Sequence, residues 1–336
     1  MILSLIPAAL ALSSDDTDAQ KTAQISVETK TRSATIPPTR ATNFNHADPA
    51  AIQYRGKIYS YATDGAKSVP KIPVIVADSA TGPYQRLGRS LERIPWANND
   101  VGVMGPHVVH RGGTTFHMYF TARPAGGADE QRCIGAAVST RGPAGPFVPR
   151  PHPLVCDRAH RGAIAPSYFK DPRTGRQYLL YKTNGPNAIR RVYLQGLGPA
   201  GLGTVGERTL LGKRSWNYEN PQLMYSAGKY FLFASVDLYR TTTYRTTVNW
   251  SRKLRGPYPA SRARALLTRN NTRIAGPGSA ELVKLANGQT VAFFHGWRND
   301  GGGCTSPRFL YVATIRWGAN RDNPRLASPR RGGAHC

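Results

Sequence analysis

Acidic residues are scarce in this chain. Of 336 residues only 19 are Asp or Glu, against 45 Lys or Arg, and the formal net charge is +26. With so few carboxylates, no dense acidic set marks a calcium cage. Cysteine is scarce too: Cys133, Cys156, Cys304 and Cys336 are the whole complement. None forms the close pairs of a zinc site. The apolar run at residues 2 to 12 is too short to span a bilayer, so no transmembrane anchor is expected.

What remains gives the flanks their reading. Residues 1–12 end in a small-residue stretch, Ala9-Leu10-Ala11, and read as a secretory signal; a buried start to the domain is the alternative. Residues 13–40 are polar and aperiodic and read as a disordered leader. An even cysteine count behind a signal favours disulfides, Cys133 with Cys156 and Cys304 with Cys336. The first would staple the second repeat to the start of the third. The chain is therefore expected to be secreted. The basic residues are scattered, and only Arg325, Arg330 and Arg331 form a dense basic tail, within residues 321–336. No motif for specific nucleic-acid binding accompanies them. Affinity for acidic polymers would show as steep salt dependence.

The rest of the chain repeats one phrase: a proline, a short apolar strand, a glycine turn, and a second apolar strand. It starts at Asp48-Pro49, Gly105-Pro106, Ala165-Pro166 and Asn220-Pro221, with a more worn copy at Gly276-Pro277. The prolines at 49, 106, 166, 221 and 277 are spaced by 57, 60, 55 and 56 residues. Even spacing marks a repeat architecture, and each copy reads as a β-hairpin. Gly82-Pro83, Gly145-Pro146 and Gly256-Pro257 each follow a third strand and lead into a fourth. Four strands repeated five times predict an all-β, five-bladed β-propeller over residues 41–320.

The first residues of each blade's innermost strand line a central funnel. Two carboxylates stand there: Asp48 in blade 1 and Glu219 in blade 4. Taken as equivalent positions facing across the funnel, they suit general acid–base hydrolysis of a glycosidic bond. Either one alone reads as a strand-end cap.

These residues carry a resemblance. Ala47-Asp48-Pro49 with Gly56-Lys57-Ile58-Tyr59, Tyr218-Glu219-Asn220-Pro221 with Gly228-Lys229-Tyr230-Phe231, and Gly276-Pro277-Gly278 with Phe294-His295-Gly296-Trp297 occur in the order found in glycoside hydrolase family 43. The sequence resembles that family over roughly residues 44–318. The resemblance implies an inverting glycosidase acting on arabinose- or xylose-containing polysaccharide, such as an α-L-arabinofuranosidase, arabinanase or β-xylosidase. Asp48 would be the general base and Glu219 the general acid. The invertase-type propellers fit less well, because their Asn-Asp-Pro-Asn-Gly type opening is absent.

One departure stands out. The family's third carboxylate opens blade 3, and here that position is Ala165. In the family it orients the acid and keeps it protonated; without it Glu219 is expected to titrate lower. Asp157 and Asp171 are not obvious substitutes. The alternative function is therefore a catalytically weakened, glycan-binding propeller.

Sugar faces stack on aromatics, which makes Trp96, Trp216, Tyr218, Tyr239 and Trp297 candidates for substrate binding, with packing roles as the alternative. Trp216 and Tyr218 are preferred because they flank Glu219 in sequence. His107 is a further candidate near the funnel floor. The resemblance implies that His295 lies near the axis beside an ion or water cluster, so calcium, bound mainly by water, is the one cofactor expected near it. A buried core histidine is the alternative, and no cofactor is required by either reading.

Overall fold

The structure, a computed structural model, describes residues 34–327 except 66–68, 129, 186–188, 216 and 298–306. The signal reading, nearly all of the leader, Trp216 and the Cys304–Cys336 pairing lie outside the described residues.

The chain forms a five-bladed β-propeller. After a short β1 (Thr39–Arg40), blade 1 comprises β2 (Ala50–Tyr54), β3 (Lys57–Tyr61), β4 (Lys71–Ala77) and β5 (Gln85–Leu91). Blade 2 comprises β6 (Met104–Gly112), β7 (Thr115–Ala122), β8 (Cys133–Ser139), and an outer strand broken into β9 (Val148–Pro149) and β10 (Val155–Cys156). Blade 3 is β11 (Ala163–Lys170), β12 (Gln177–Thr183), β13 (Ile189–Leu197) and β14 (Thr204–Ser215). Blade 4 is β15 (Tyr218–Ser226), β16 (Lys229–Val236), β17 (Arg245–Ser251) and β18 (Arg264–Leu267). Blade 5 is β19 (Ala275–Lys284), β20 (Thr290–Trp297), β21 (Arg308–Trp317) and β22 (Pro324–Leu326). Neighbouring strands are antiparallel throughout each blade.

Blade 5 is completed from both flanks. β1 pairs with β21 at Thr39↔Val312, and β22 pairs with the other end of β21 at Ile315↔Leu326. The expected boundaries at 41 and 320 therefore cut through the propeller: residues 39–40 and 324–326 belong to its last sheet. Among the described residues no helix is long and apolar enough to cross a membrane.

The second strand of each blade explains the long apolar runs. Side chains alternate faces along a strand, and here both faces are covered by a neighbouring blade. Leu179 and Tyr181 pack towards blade 2, whereas Tyr178 and Leu180 pack towards blade 4. Likewise Tyr230 and Leu232 face blade 3, and Phe231 and Phe233 face blade 5. The core is thus five apolar seams, one between each adjacent pair of blades.

Local turn chemistry follows the sequence. Arg55 and Gly56 both have positive φ, 49° and 82°, as a two-residue hairpin of the right twist requires. The disulfide Cys133–Cys156 is formed, with the two residues directly paired and their Cα atoms 4.5 Å apart. It ties β10 to β8 inside blade 2 and does not staple blade 2 to blade 3 as expected.

Candidate active site

Each blade contributes one left-handed residue to a ring around the axis: Asp48 (φ 51°), Gly105 (54°), Ala165 (56°), Asn220 (48°) and Ser279 (49°). Asp, Asn and Gly tolerate this conformation best. The ring encloses a cavity of about 40 Å³, lined among others by Pro49, Pro106, Pro166, Pro221 and Ala280. The fifth ring position is therefore Ser279-Ala280, not Gly276-Pro277 as the proline spacing suggested. Gly276 and Gly278 have a different use. A Cβ on Gly276 would sit 2.9 Å from Trp297, and one on Gly278 would sit 2.1 Å from the Tyr244 ring.

The ring backbone is held by the preceding blade. Gly105 N–H donates to Thr63 Oγ1 (3.1 Å), Ala165 N–H to Thr121 Oγ1 (3.0 Å), Ser279 N–H to Ser235 Oγ (2.8 Å) and Asp48 N–H to His295 Nδ1 (3.0 Å). In blade 3 the register pairs Ile164 with Lys182, as it pairs Met104 with Thr121, Glu219 with Ser235 and Gly278 with His295. Lys182 therefore stands where the other blades place an acceptor.

Asp48 occupies a ring position; Glu219 does not. Glu219 lies one residue before ring residue Asn220, so the two carboxylates are not at equivalent positions. They are nevertheless brought together. Asp48 Oδ1 accepts from Ser279 Oγ (2.7 Å) and Oδ2 from Thr63 Oγ1 (2.6 Å). Glu219 Oε1 accepts from the Tyr244 hydroxyl (2.9 Å). The Tyr244 and Ser279 hydroxyls touch at 3.3 Å. Asn220 Nδ2 donates to both of those oxygens, at 3.3 Å to Tyr244. With its two protons so spent, the amide turns each hydroxyl proton outward, one to each carboxyl.

The electrostatics differ at the two ends. Burial pushes the Asp48 carboxyl up, but the Arg308 guanidinium at 3.3 Å, with the hydrogen bonds around it, outweighs burial and holds it well below the usual carboxylate range. Asp48 is thus ionised across the working pH range. Burial lowers His295, which is fully buried, and so keeps it neutral. Its Nδ1 accepts the Asp48 N–H, although it also lies 3.3 Å from Oδ1. The proton therefore sits on Nε2. Burial raises Tyr244, and the two carboxyls push it further, so it stays a donor. Beside Glu219, Lys182 Nζ lies 3.3 Å from Oε2 and is itself only 6% exposed.

His295 Nε2 is buried and makes no hydrogen bond among the described residues, so a water, or an ion held through water, is the partner that its N–H fits. Among the described residues no three His, Cys, Asp or Glu side chains converge as a metal site. Any calcium there would be held through water.

The remaining candidates separate. Tyr239 is 47% exposed on the rim, with Arg308 stacked over its ring at 5.2 Å and Trp297 at 5.8 Å from the same guanidinium. Trp297 Nε1 donates to Tyr239 O at 3.0 Å, which fixes that rim beside Asp48. Tyr218 is buried in the blade 3–4 seam and lies against Gly212. It precedes Glu219 in one strand, so the two side chains point to opposite faces. Trp96 stacks on Phe120 between blades 1 and 2. His107 lines the axial cavity and pairs with Glu281 at 3.4 Å. Neither doubted carboxylate replaces the one absent at Ala165. Asp157 is held by Arg208 and by His160 Nδ1 at 3.0 Å. Asp171 accepts from Tyr230 and Thr174 at its hairpin turn. Sequence reasoning missed Lys182, Tyr244, Ser279 and Arg308 as site residues.

The profile of Glycosyl hydrolases family 43 matches residues 41–321. The chain belongs to glycosyl hydrolase family 43. Among solved structures it is similar to a thermostable family-43 glycoside hydrolase (21% identity, TM-score 0.73, covering 88% of this chain and 96% of that one). An endo-1,4-beta-xylanase from Bacteroides thetaiotaomicron is similar at 20% identity and TM-score 0.70, covering 88% and 97%. A Cellvibrio cellulosa alpha-L-arabinanase complexed with arabinohexaose follows at 18% and 0.68, covering 84% and 95%. No curated protein matches. At these identities the structural likeness speaks for the fold; membership of the family 43 hydrolases points to cleavage of glycosidic bonds.

Proposed function

We propose that this family 43 chain hydrolyses O-glycosyl bonds of arabinose- or xylose-containing polysaccharide with inversion, Asp48 acting as base and Glu219 as acid. The observation that carries this is the path Asp48–Ser279–Tyr244–Glu219, which sets two carboxyls from separate blades on opposite sides of two hydroxyls. An inverting pair stands about 6.5–9.5 Å apart to admit a water. Asp48, ionised and aimed by Thr63 and Ser279, removes a proton from that water as it attacks the anomeric carbon. Glu219 delivers a proton to the leaving oxygen. Tyr239, exposed at the rim and backed by the buried Trp297, supplies an apolar face for the sugar.

The named substrates of the xylanase and the arabinanase support the sugar class. The Cys133–Cys156 bridge supports a secreted protein. The high positive charge supports added affinity for acidic polymers.

Ala165 favours a second reading, a propeller that binds glycan with little turnover. The test is hydrolysis of aryl α-L-arabinofuranoside, aryl β-D-xyloside and dyed arabinan by wild type, Asp48→Asn and Glu219→Gln, with the product anomer followed by NMR. Turnover with inversion that both substitutions abolish supports the enzyme; an Ala165→Asp variant then measures what the missing carboxylate contributes. Binding on a glycan array without turnover supports the second reading. Retained activity in Asp48→Asn sinks the assignment.

A further inference from the structure

Lys182 breaks the pattern of the ring. Thr63, Thr121, Ser235 and His295 each offer a lone pair to the ring N–H of the next blade. A lysine ammonium has three donors and no acceptor. Its presence in blade 3 therefore forfeits that hydrogen bond, and a buried lysine is tolerated only when paired. Lys182 finds Glu219 Oε2 at 3.3 Å and Asn184 Oδ1 at 3.1 Å. It faces Ile164, the neighbour of Ala165. The blade that has lost the third carboxylate has thus placed a cation beside the acid.

We propose that Lys182 positions Glu219 and resupplies it with the proton it gives to the leaving group. This rests on the function proposed above. As the anomeric C–O bond breaks, its electron pair stays on the leaving oxygen, which takes a proton from the Glu219 carboxyl. Lys182 Nζ passes one of its protons to Glu219 Oε2 and becomes a neutral amine. Water returns that proton to Lys182, and the proton taken by Asp48 from the attacking water leaves to solvent, so charge balances over a turnover. Burial lowers Lys182 against the opposing pull of Glu219, which eases the transfer. Arg190 on β13 adds positive charge on the same side, and Tyr244 closes the other side of Glu219.

The experiment pairs substrates that differ only in their need for acid: 2,4-dinitrophenyl and phenyl β-D-xyloside, or the matching α-L-arabinofuranosides if those are the ones cleaved. Lys182→Arg keeps the charge but cannot release a proton near neutral pH; Lys182→Met removes both. The expected result is a kcat loss of about 100-fold on the phenyl glycoside in both variants, within the usual range of general acid catalysis. KM should be unchanged, and the dinitrophenyl glycoside should lose less than about 5-fold. Survival of dinitrophenyl turnover also shows that the variants fold. Lys182→Arg with phenyl turnover near the wild-type value overturns the proposal, and so does an equal loss on both substrates. Unchanged activity in Asp48→Asn would instead overturn the function itself, whatever Lys182 does. Absence of wild-type turnover on every substrate overturns both.

Discussion

Tyr244 lies nearly parallel to His295, ring centres 5.5 Å apart, and each of the two holds one of the two acidic residues. Tyr244 donates to Glu219, and His295 accepts the backbone N–H of Asp48. One stacked pair thus fixes both ends of the site, from blades 4 and 5.

Gly278 makes that stack possible. A Cβ there would overlap the Tyr244 ring at 2.1 Å, so Gly278→Ala must displace it. Glu219 then loses its donor. Misplacing a catalytic group by about 1 Å can cost on the order of 100-fold in rate, and kcat should fall by that order. Tyr244→Phe, which removes the same donor but keeps the ring stacked on His295, should fall less. Steady-state kinetics on an aryl glycoside checks both.

Arg308 sets the acid side of the pH profile. Asp48 titrates below its unfolded value, so its stabilising contribution is complete above about pH 4, the ordinary aspartate value. The contribution is lost as pH falls from there through the lowered folded value. Arg308→Met removes the main opposing charge and raises that folded value. The acid limb of kcat/KM should move to higher pH, and the acid-induced fall in melting temperature, which still begins near the ordinary aspartate value, should be smaller than in wild type and end at a higher pH. Parallel titrations of activity and melting temperature check the sign.

Ala165 sits at φ 56°, a conformation that costs an ordinary L-residue roughly 1–2 kcal/mol. Ala165→Gly removes that cost but adds chain entropy to the unfolded state, roughly 0.5–1 kcal/mol. The expected net effect is a stabilisation of up to about 1 kcal/mol, read by denaturant melts. A loss of stability would show that the methyl group packs better than its backbone conformation implies.

The Cys133–Cys156 bridge lies on the outer part of blade 2, away from the axis. Replacing both residues with Ser should lower stability by about 3 kcal/mol, as expected for a loop of this size. The kcat on an aryl glycoside should stay unchanged. Urea melts and kinetics on the same variant separate the two effects.

Proline and glycine made four blades legible, because each ring residue there precedes a proline. The fifth was misplaced by three residues: Ala280 stands where the proline would be, and the nearby Gly276-Pro277 serves Trp297 and Tyr244 instead. Asp48 and Glu219 were readable because carboxylates are few. Ser279, Arg308 and Lys182 were not, since they come from other blades at spacings fixed only by closure of the ring, and Tyr244 was not, since it reaches Glu219 from just before the third strand of the same blade, 25 residues away. Lys182 did leave a signal: it interrupts the apolar run Tyr178–Tyr181 in a strand buried on both faces, where a lysine needs a partner. Tyr218 misled for the opposite reason, because adjacency in a strand puts side chains on opposite faces.

The last sheet takes one short strand from each flank, β1 and β22. β1 lies at the front of the propeller and β21 towards its end, so the ring closes by pairing Thr39 with Val312. That closure covers the seam between blades 5 and 1 and brings His295 of blade 5 to the backbone N–H of Asp48 in blade 1. The joint that shuts the ring is thus the joint at which Asp48 is gripped.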